Sequence, residues 1–166
     1  MERFYNNPHS SFNRTAHKIP AGATSIEEYE FSNCRDLTTI TIPEGVTSIG
    51  EFAFYDCLNL TTVNLPQSLK SIGACAFLGC NKLNSINIPD GLKSIGMAAF
   101  NGCGSLTTIK VPVKTEVGTG AFLGCNKLEF DSQAAQAAQP ARKKTVRNQI
   151  VPKMKSNADN GMEISR

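Results

Sequence analysis

A 23-residue repeat is the feature that most constrains how this chain can fold. Equivalent segments begin at Ile19, Ile42, Leu65 and Ile88 at one constant spacing, and a fifth from Val111 is one residue shorter up to its Phe. The shared positions are Phe31, Phe54, Phe77, Phe100 and Phe122, then Cys34, Cys57, Cys80, Cys103 and Cys125, then Leu37, Leu60, Leu83, Leu106 and Leu128. A repeat of this length predicts one structural unit per segment, stacked on the next.

Each segment contains the signals of a single coil. Val63 and Leu65 alternate with polar residues, which predicts a short strand, and Pro66 ends it because proline has no N–H for a ladder. The wider apolar spacing from Ile49 to Leu60 predicts a short helical turn. The position before each Cys holds Asn, Asp or Gly (Asn33, Asp56, Gly79, Gly102 and Gly124), residue types that tolerate a left-handed backbone. We therefore expect the helical turn to end there.

Stacking follows from the small size of one coil. A lone coil buries too few apolar side chains to offset the entropy of ordering its own backbone. Neighbouring coils cover both flanks of each layer and pair their strands in parallel, about 4.8 Å apart. The expected fold is a repeat solenoid with a short parallel sheet on one face.

The pattern I-P-x-x-L-x-x-I-G-x-x-A-F-x-x-C-x-x-L-x-x-I-x, as in 65–87, resembles the BspA-like leucine-rich repeat family. This resemblance implies a curved leucine-rich-repeat horseshoe of the α/β class, with its parallel sheet on the concave face and short helical turns and loops on the convex face. It also implies protein binding or adhesion, often at a cell surface, and no catalytic residue. The chain departs from the pattern at Glu27 and Glu30, and at Leu128-Glu-Phe-Asp131 in the fifth coil.

These signals divide the chain into three regions. Residues 1–18 are predicted to be a degenerate N-terminal segment or cap, residues 19–130 the solenoid and residues 131–166 a basic, disordered tail. The five predicted coils are 19–41, 42–64, 65–87, 88–110 and 111–130.

Composition fits a globular protein without a membrane span. The chain is 40% hydrophobic and 19% charged and lacks Trp, which is typical of a globular domain. It contains no apolar run long enough to cross a bilayer as a helix. Its start contains an acid and no apolar h-region, so we expect no secretory signal. Buried reduced thiols suit a reducing interior, which favours a cytoplasmic location.

Six cysteines raise the questions of disulfides and metal. Five share one repeat position and would form a ladder, while Cys75 lies outside it, at the position of Tyr29, Phe52 and Ala98. Parallel rungs hold their Cβ atoms farther apart than a disulfide prefers, and no CxxC or paired His suggests zinc. We therefore favour buried free thiols, with a disulfide or a metal site as the alternatives, and expect no cofactor. The Phe ladder is interpreted as core.

The outward side of the predicted strands carries the candidate binding residues. They are Thr39, Thr41, Thr62, Asn64, Ser85, Asn87, Thr108 and Lys110. One interpretation is a hydrogen-bonding concave surface that docks a protein partner. The other is structural, because Thr suits half-exposed strands and pairs well across neighbours.

The tail supplies the alternative function. Residues 131–166 contain seven Lys or Arg and three Asp or Glu, whereas residues 1–130 contain ten and eleven. Arg142, Lys143, Lys144 and Arg147 could bind nucleic acid or an acidic membrane surface, or belong to a solvated linker. A third possibility is a structural fragment of a larger surface or adhesion repeat protein. No phosphate loop, GxSxG or HExxH motif is present, so we expect neither an enzyme nor a small-molecule substrate.

Overall fold

Two parallel sheets run the length of the solenoid in the computed structural model, which describes residues 18–130. The predictions for the N-terminal segment up to residue 17 and for the tail lie outside the described residues. The strands are β1 Ser25–Ile26, β2 Thr39–Thr41, β3 Ser48–Ile49, β4 Thr62–Asn64, β5 Ser71–Ile72, β6 Ser85–Ile86, β7 Ser94–Ile95, β8 Thr108–Ile109, β9 Glu116–Val117 and β10 Glu129–Phe130. Each coil therefore contributes one strand to each sheet.

The strand predicted in each repeat forms one of the two sheets, here called the second sheet, in which the strands are ordered β10-β8-β6-β4-β2. Its register follows the 23-residue period, with Thr39 opposite Thr62 and Thr62 opposite Ser85. The inward residues are almost completely buried, as at Ile40 and Val63, which are 1% and 3% exposed. This parallel sheet confirms the stacked-coil fold.

A further sheet, ordered β1-β3-β5-β7-β9, was not predicted. It is built from the recurring Ser-Ile pair, with Ser48 opposite Ser71 and Ile49 opposite Ile72. Ile49 is 2% exposed and Ile72 is 1% exposed, while the serines are half-buried. Each strand is only a residue pair, so the alternation that announces a strand never repeats within one coil.

The predicted helical turns on the convex side are wrong. No residue between 18 and 130 is helical, and the segment after each Ile runs through consecutive turns. Phe52 and Asp56 both have a φ of 54°, a left-handed backbone that interrupts a right-handed helix. Alternate N–H groups instead point along the solenoid, as where Phe54 N donates to Ala76 O at 2.7 Å. The turns thus form a third ladder of hydrogen bonds between coils. The prediction of left-handed residues before each Cys is confirmed, with Asn33 at 60°.

The core is a continuous column of phenylalanines. Successive rings from Phe31 to Phe122 lie 5.0–5.5 Å apart between centroids and within 6° of parallel. Phe54, Phe77 and Phe100 are completely buried. The column confirms that equivalent side chains stack, and it agrees with the interpretation of these residues as core.

One glycine position shows how closely the coils approach. A Cβ added to Gly96 would lie 2.5 Å from Ala74 N, and one added to Gly118 would lie 2.5 Å from Met97 N. Real Cβ atoms do not come this close to backbone, so these coils require glycine at this position. The first coil has Glu27 there.

Candidate interaction surface

The outward side chains of the second sheet, with those just after its shorter strands, form a polar surface, here called the polar face. Its members are the eight predicted residues Thr39, Thr41, Thr62, Asn64, Ser85, Asn87, Thr108 and Lys110. All are exposed except Thr62, which is half-buried. Ile86 and Ile109, which point inward from the same sheet, are each 4% exposed. The buried side thus fixes the sheet while the other side presents hydroxyl and amide groups.

Strand register brings these residues into rows along the solenoid. In the first row, each residue lies directly opposite the next one in the neighbouring strand, in the order Thr39, Thr62, Ser85 and Thr108. In the neighbouring row, Asn64 Nδ2 donates to Thr41 Oγ1 at 3.1 Å. This arrangement can offer donors and acceptors at a regular spacing to a ligand that lies along the rows.

Sequence reasoning missed one member of this surface. Glu129 is exposed and lies opposite Thr108 in the pairing of β10 with β8, so it extends the first row. The sequence signal was weak because Leu128-Glu-Phe-Asp131 lacks the usual Leu-x-x-Ile spacing. With Lys110, Glu129 gives the C-terminal end of an otherwise neutral surface one charge of each sign.

The five ladder cysteines are free thiols turned into the solenoid. Four are buried, Cys125 is half-buried, and Cys75, also free, is half-buried outside the ladder. Cys57 Sγ donates to Phe31 O at 3.0 Å, and Cys80 Sγ donates to Phe54 O at 3.1 Å. Such a thiol links its coil to the preceding one, a role that an alanine could not fill.

Burial and neighbouring thiols set the ionisation of this ladder. Burial raises the pKa of Cys34 to about 11. A hydrogen bond with Cys125, followed by burial, raises the pKa of Cys103, and the same bond lowers the pKa of Cys125. Burial also raises the pKa of Cys75. Cys34 and Cys103 are thus held in their neutral, weakly nucleophilic form.

Two other features are absent from residues 18–130. No group of three or more His, Cys, Asp or Glu side chains there could hold a metal ion. That part of the chain also contains no helix long and apolar enough to span a bilayer. The predicted basic residues Arg142, Lys143, Lys144 and Arg147 lie outside the described residues.

Similar solved structures are leucine-rich repeat proteins. A Treponema pallidum leucine-rich repeat protein is 32% identical with a TM-score of 0.68, and the match covers 70% of this chain and 57% of that one. A leucine-rich cell surface protein of Faecalibacterium prausnitzii is 32% identical with a TM-score of 0.70 and coverages of 78% and 36%. A Bacteroides ovatus leucine-rich repeat protein is 46% identical with a TM-score of 0.62 and coverages of 65% and 28%. The chain thus spans less than two thirds of each of these proteins.

The sequence itself also matches a family. Residues 3–129 match six copies of the BspA type leucine-rich repeat region, one copy more than the five coils counted from Ile19. No curated protein matches. Proteins of this family and its structural neighbours are repeat scaffolds, typically noncatalytic. The stacked Phe column, the 23-residue register and this match agree: the chain belongs to the BspA-type leucine-rich repeat family.

Proposed function

We propose that this chain is a noncatalytic protein-binding module and that the polar face docks its partner. The observation that carries the proposal is the set of aligned rows on a parallel sheet, with eight polar side chains above a buried aliphatic layer. Solenoids present extended binding surfaces of this kind. The neutral character of the face, apart from Lys110 and Glu129 at one end, favours a partner recognised by hydrogen bonds rather than by charge.

The position of the rows suggests how a partner would lie. Equivalent side chains recur at the strand spacing of about 4.8 Å along the solenoid. Thr62 and Ser85 lie at the centre of the first row, where a docked segment would exclude water most completely. A contact of this type has few Tyr, Trp or Arg anchors, so we expect its strength to come from area and from repeated polar contacts.

A pull-down with a paired substitution tests the proposal. The variant Thr62→Arg with Ser85→Arg places two long cations at the centre of the polar face and should abolish partner recovery. The matched control is Thr24→Arg with Thr47→Arg, two exposed threonines at the repeat position that holds Lys70 and Lys93 in later coils. Equal recovery of every partner by the wild type and the polar-face variant would reject the proposal.

We also propose that the protein works in a reducing, cytoplasmic compartment. The free thiols on every coil support this location, because an oxidising compartment exposes them to disulfide exchange during folding. One structural neighbour is described as a cell surface protein, so the two locations need to be separated by experiment. Cell fractionation with detection of the native protein does so, and recovery at the surface would overturn the proposal.

A further inference from the structure

The first two coils carry an aromatic cluster on their turn segments. The rings of Tyr29 and Phe52 stack in parallel, with their centroids 4.9 Å apart. Tyr55 meets Phe52 edge-on at 5.9 Å. All three side chains are half-buried, so part of each residue reaches the surface. We call Tyr29, Phe52 and Tyr55 the aromatic face.

The backbone beneath this face does not require large residues. Tyr29 and Phe52 have φ values of 59° and 54°. The left-handed region is unfavourable for any residue with a Cβ. Later coils place Cys75, Ala98 and Gly120 at the same position. Cys75 and Ala98 share the left-handed backbone, so the turn accepts small side chains there and does not require the rings of the first two coils.

Charge along the solenoid is divided unequally. Residues 19–64 contain seven acidic and one basic side chain, whereas residues 65–130 contain three acidic and six basic ones. Glu28 and Glu51 are exposed and directly precede Tyr29 and Phe52 in the chain. The aromatic face thus has acidic neighbours on the same turns. Aromatic rings beside carboxylates form a surface that suits arginine and lysine.

The same chain supplies a segment of complementary chemistry. Residues 142–147 contain two Arg and two Lys and follow the solenoid after the connection 131–141. Fully extended, that connection spans about 36 Å. Three strand spacings from the fifth coil to the second amount to only about 14 Å along the axis. The basic segment can therefore reach the aromatic face of its own solenoid, where the linkage gives a high effective concentration.

We propose that the basic segment 142–147 docks on the aromatic face of its own chain, with arginine stacked on the rings and its cations paired with Glu28 and Glu51. This intramolecular contact covers a surface different from the polar face. It also competes with any binding of the basic segment to nucleic acid or to an acidic membrane. The proposal does not depend on the proposed protein-binding function.

Tryptic cleavage of the full chain tests this docking. With an effective concentration in the millimolar range and a contact affinity of about 0.1 mM, cleavage within 142–147 should be about tenfold slower in the wild type than in Glu28→Gln with Glu51→Gln. The matched control, Glu116→Gln with Glu129→Gln, removes two exposed acids from the fifth coil and should retain the protection. Cleavage at Lys153 and Lys155 serves as the reference within each sample.

A second variant separates docking from misfolding. Phe52→Gly suits the left-handed backbone, removes a ring and should also lose the protection while keeping the wild-type circular dichroism spectrum. Carbodiimide coupling in a mixture of isotope-labelled and unlabelled chains should link Lys143 or Lys144 to Glu28 or Glu51 within one chain. Equal cleavage in the wild type and the glutamine variant, or links only between chains, would overturn the proposal.

Discussion

Coils two to four and the fifth coil share most of their sequence pattern but differ in burial. Phe54, Phe77 and Phe100 are completely buried, whereas Phe122 is half-buried. The ring spacing also widens, from 5.0 Å between Phe54 and Phe77 to 5.5 Å at the last step of the column. An equivalent sequence position therefore does not guarantee equivalent burial.

The fifth coil departs from the others by a polar residue in a buried layer and, after it, by one missing residue. After the proline turn, the side chains of Leu69 and Leu92 are 0% and 3% exposed. Thr115 occupies the same repeat position in the fifth coil and is 5% exposed. Its Oγ1 donates to Leu92 O at 2.9 Å, so the buried hydroxyl is paired. The coil then resumes the register, with Val117 opposite Ile95. One hydrogen bond thus accommodates a polar residue in an apolar layer.

The largest expected effect comes from truncating the Phe column at its middle. Phe77→Ala should lower the free energy of unfolding by about 3–5 kcal/mol, because the cavity is enclosed by rings on both sides. Phe122→Ala should cost about half as much, since its site is already partly open to solvent. Urea unfolding monitored by circular dichroism measures both. Equal losses would show that the fifth coil is packed as firmly as the third.

Adding one methyl group where the coils meet should have an intermediate effect. Gly96→Ala places a Cβ against the backbone of the preceding coil. It should cost about 1–3 kcal/mol. Glu27→Ala is the matched control at the same repeat position of the first coil and should change stability by about 0.5 kcal/mol or less. Thermal melting distinguishes the two variants. A wild-type melting temperature for Gly96→Ala would contradict the close packing.

The smallest effect concerns the thiols. Cys125 is half-buried with a lowered pKa, whereas the pKa of Cys80 is raised by its hydrogen bond with Cys57 and by burial. Iodoacetamide should therefore modify Cys125 before Cys80 in the folded protein, as read by peptide mass spectrometry. Simultaneous modification of both would show that the ladder opens as a unit.

The same shifts give stability a pH dependence. The unfolded chain ionises Cys34 near its ordinary pKa of 9.0, while the folded chain, with its pKa of about 11, keeps the proton to higher pH. The stability from this group is complete below the ordinary pKa and is lost as the pH rises through the folded one. Urea midpoints across this window should fall, and should fall less in Cys34→Ala.

Much of this architecture could be predicted from the sequence, for identifiable reasons. The Phe column and the second sheet follow from residues that repeat at one spacing, and Asn33 and Asp56 announce a left-handed backbone by their type. Phe52 and Tyr29 carry no such signal, because bulky residues rarely adopt this conformation. The helical turns were predicted from apolar spacing alone, which cannot show that Phe54 N donates to the next coil instead of along a helix.

Eight members of the polar face were named from the sequence, but the residue that extends it at its C-terminal end was not. Thr39 and Ser85 lie on the outward side, because alternation within a strand fixes the side of each residue. Glu129 was missed because it joins the sheet through pairing with β8 and not through a recognisable motif. Local pattern thus places residues within a coil, whereas contacts between coils decide where the surface ends.

The constant 23-residue register has a consequence for how such a chain can change length. Thr39, Thr62 and Ser85 occupy one position in successive coils, so excision of residues 65–87 would bring Asn64 to Ile88 with each ladder still in step. Duplication of the same block would be equally neutral for strand pairing. Unequal recombination between such genes can therefore shorten or lengthen the protein by whole coils. This changes the extent of its surfaces without changing how one coil pairs with the next.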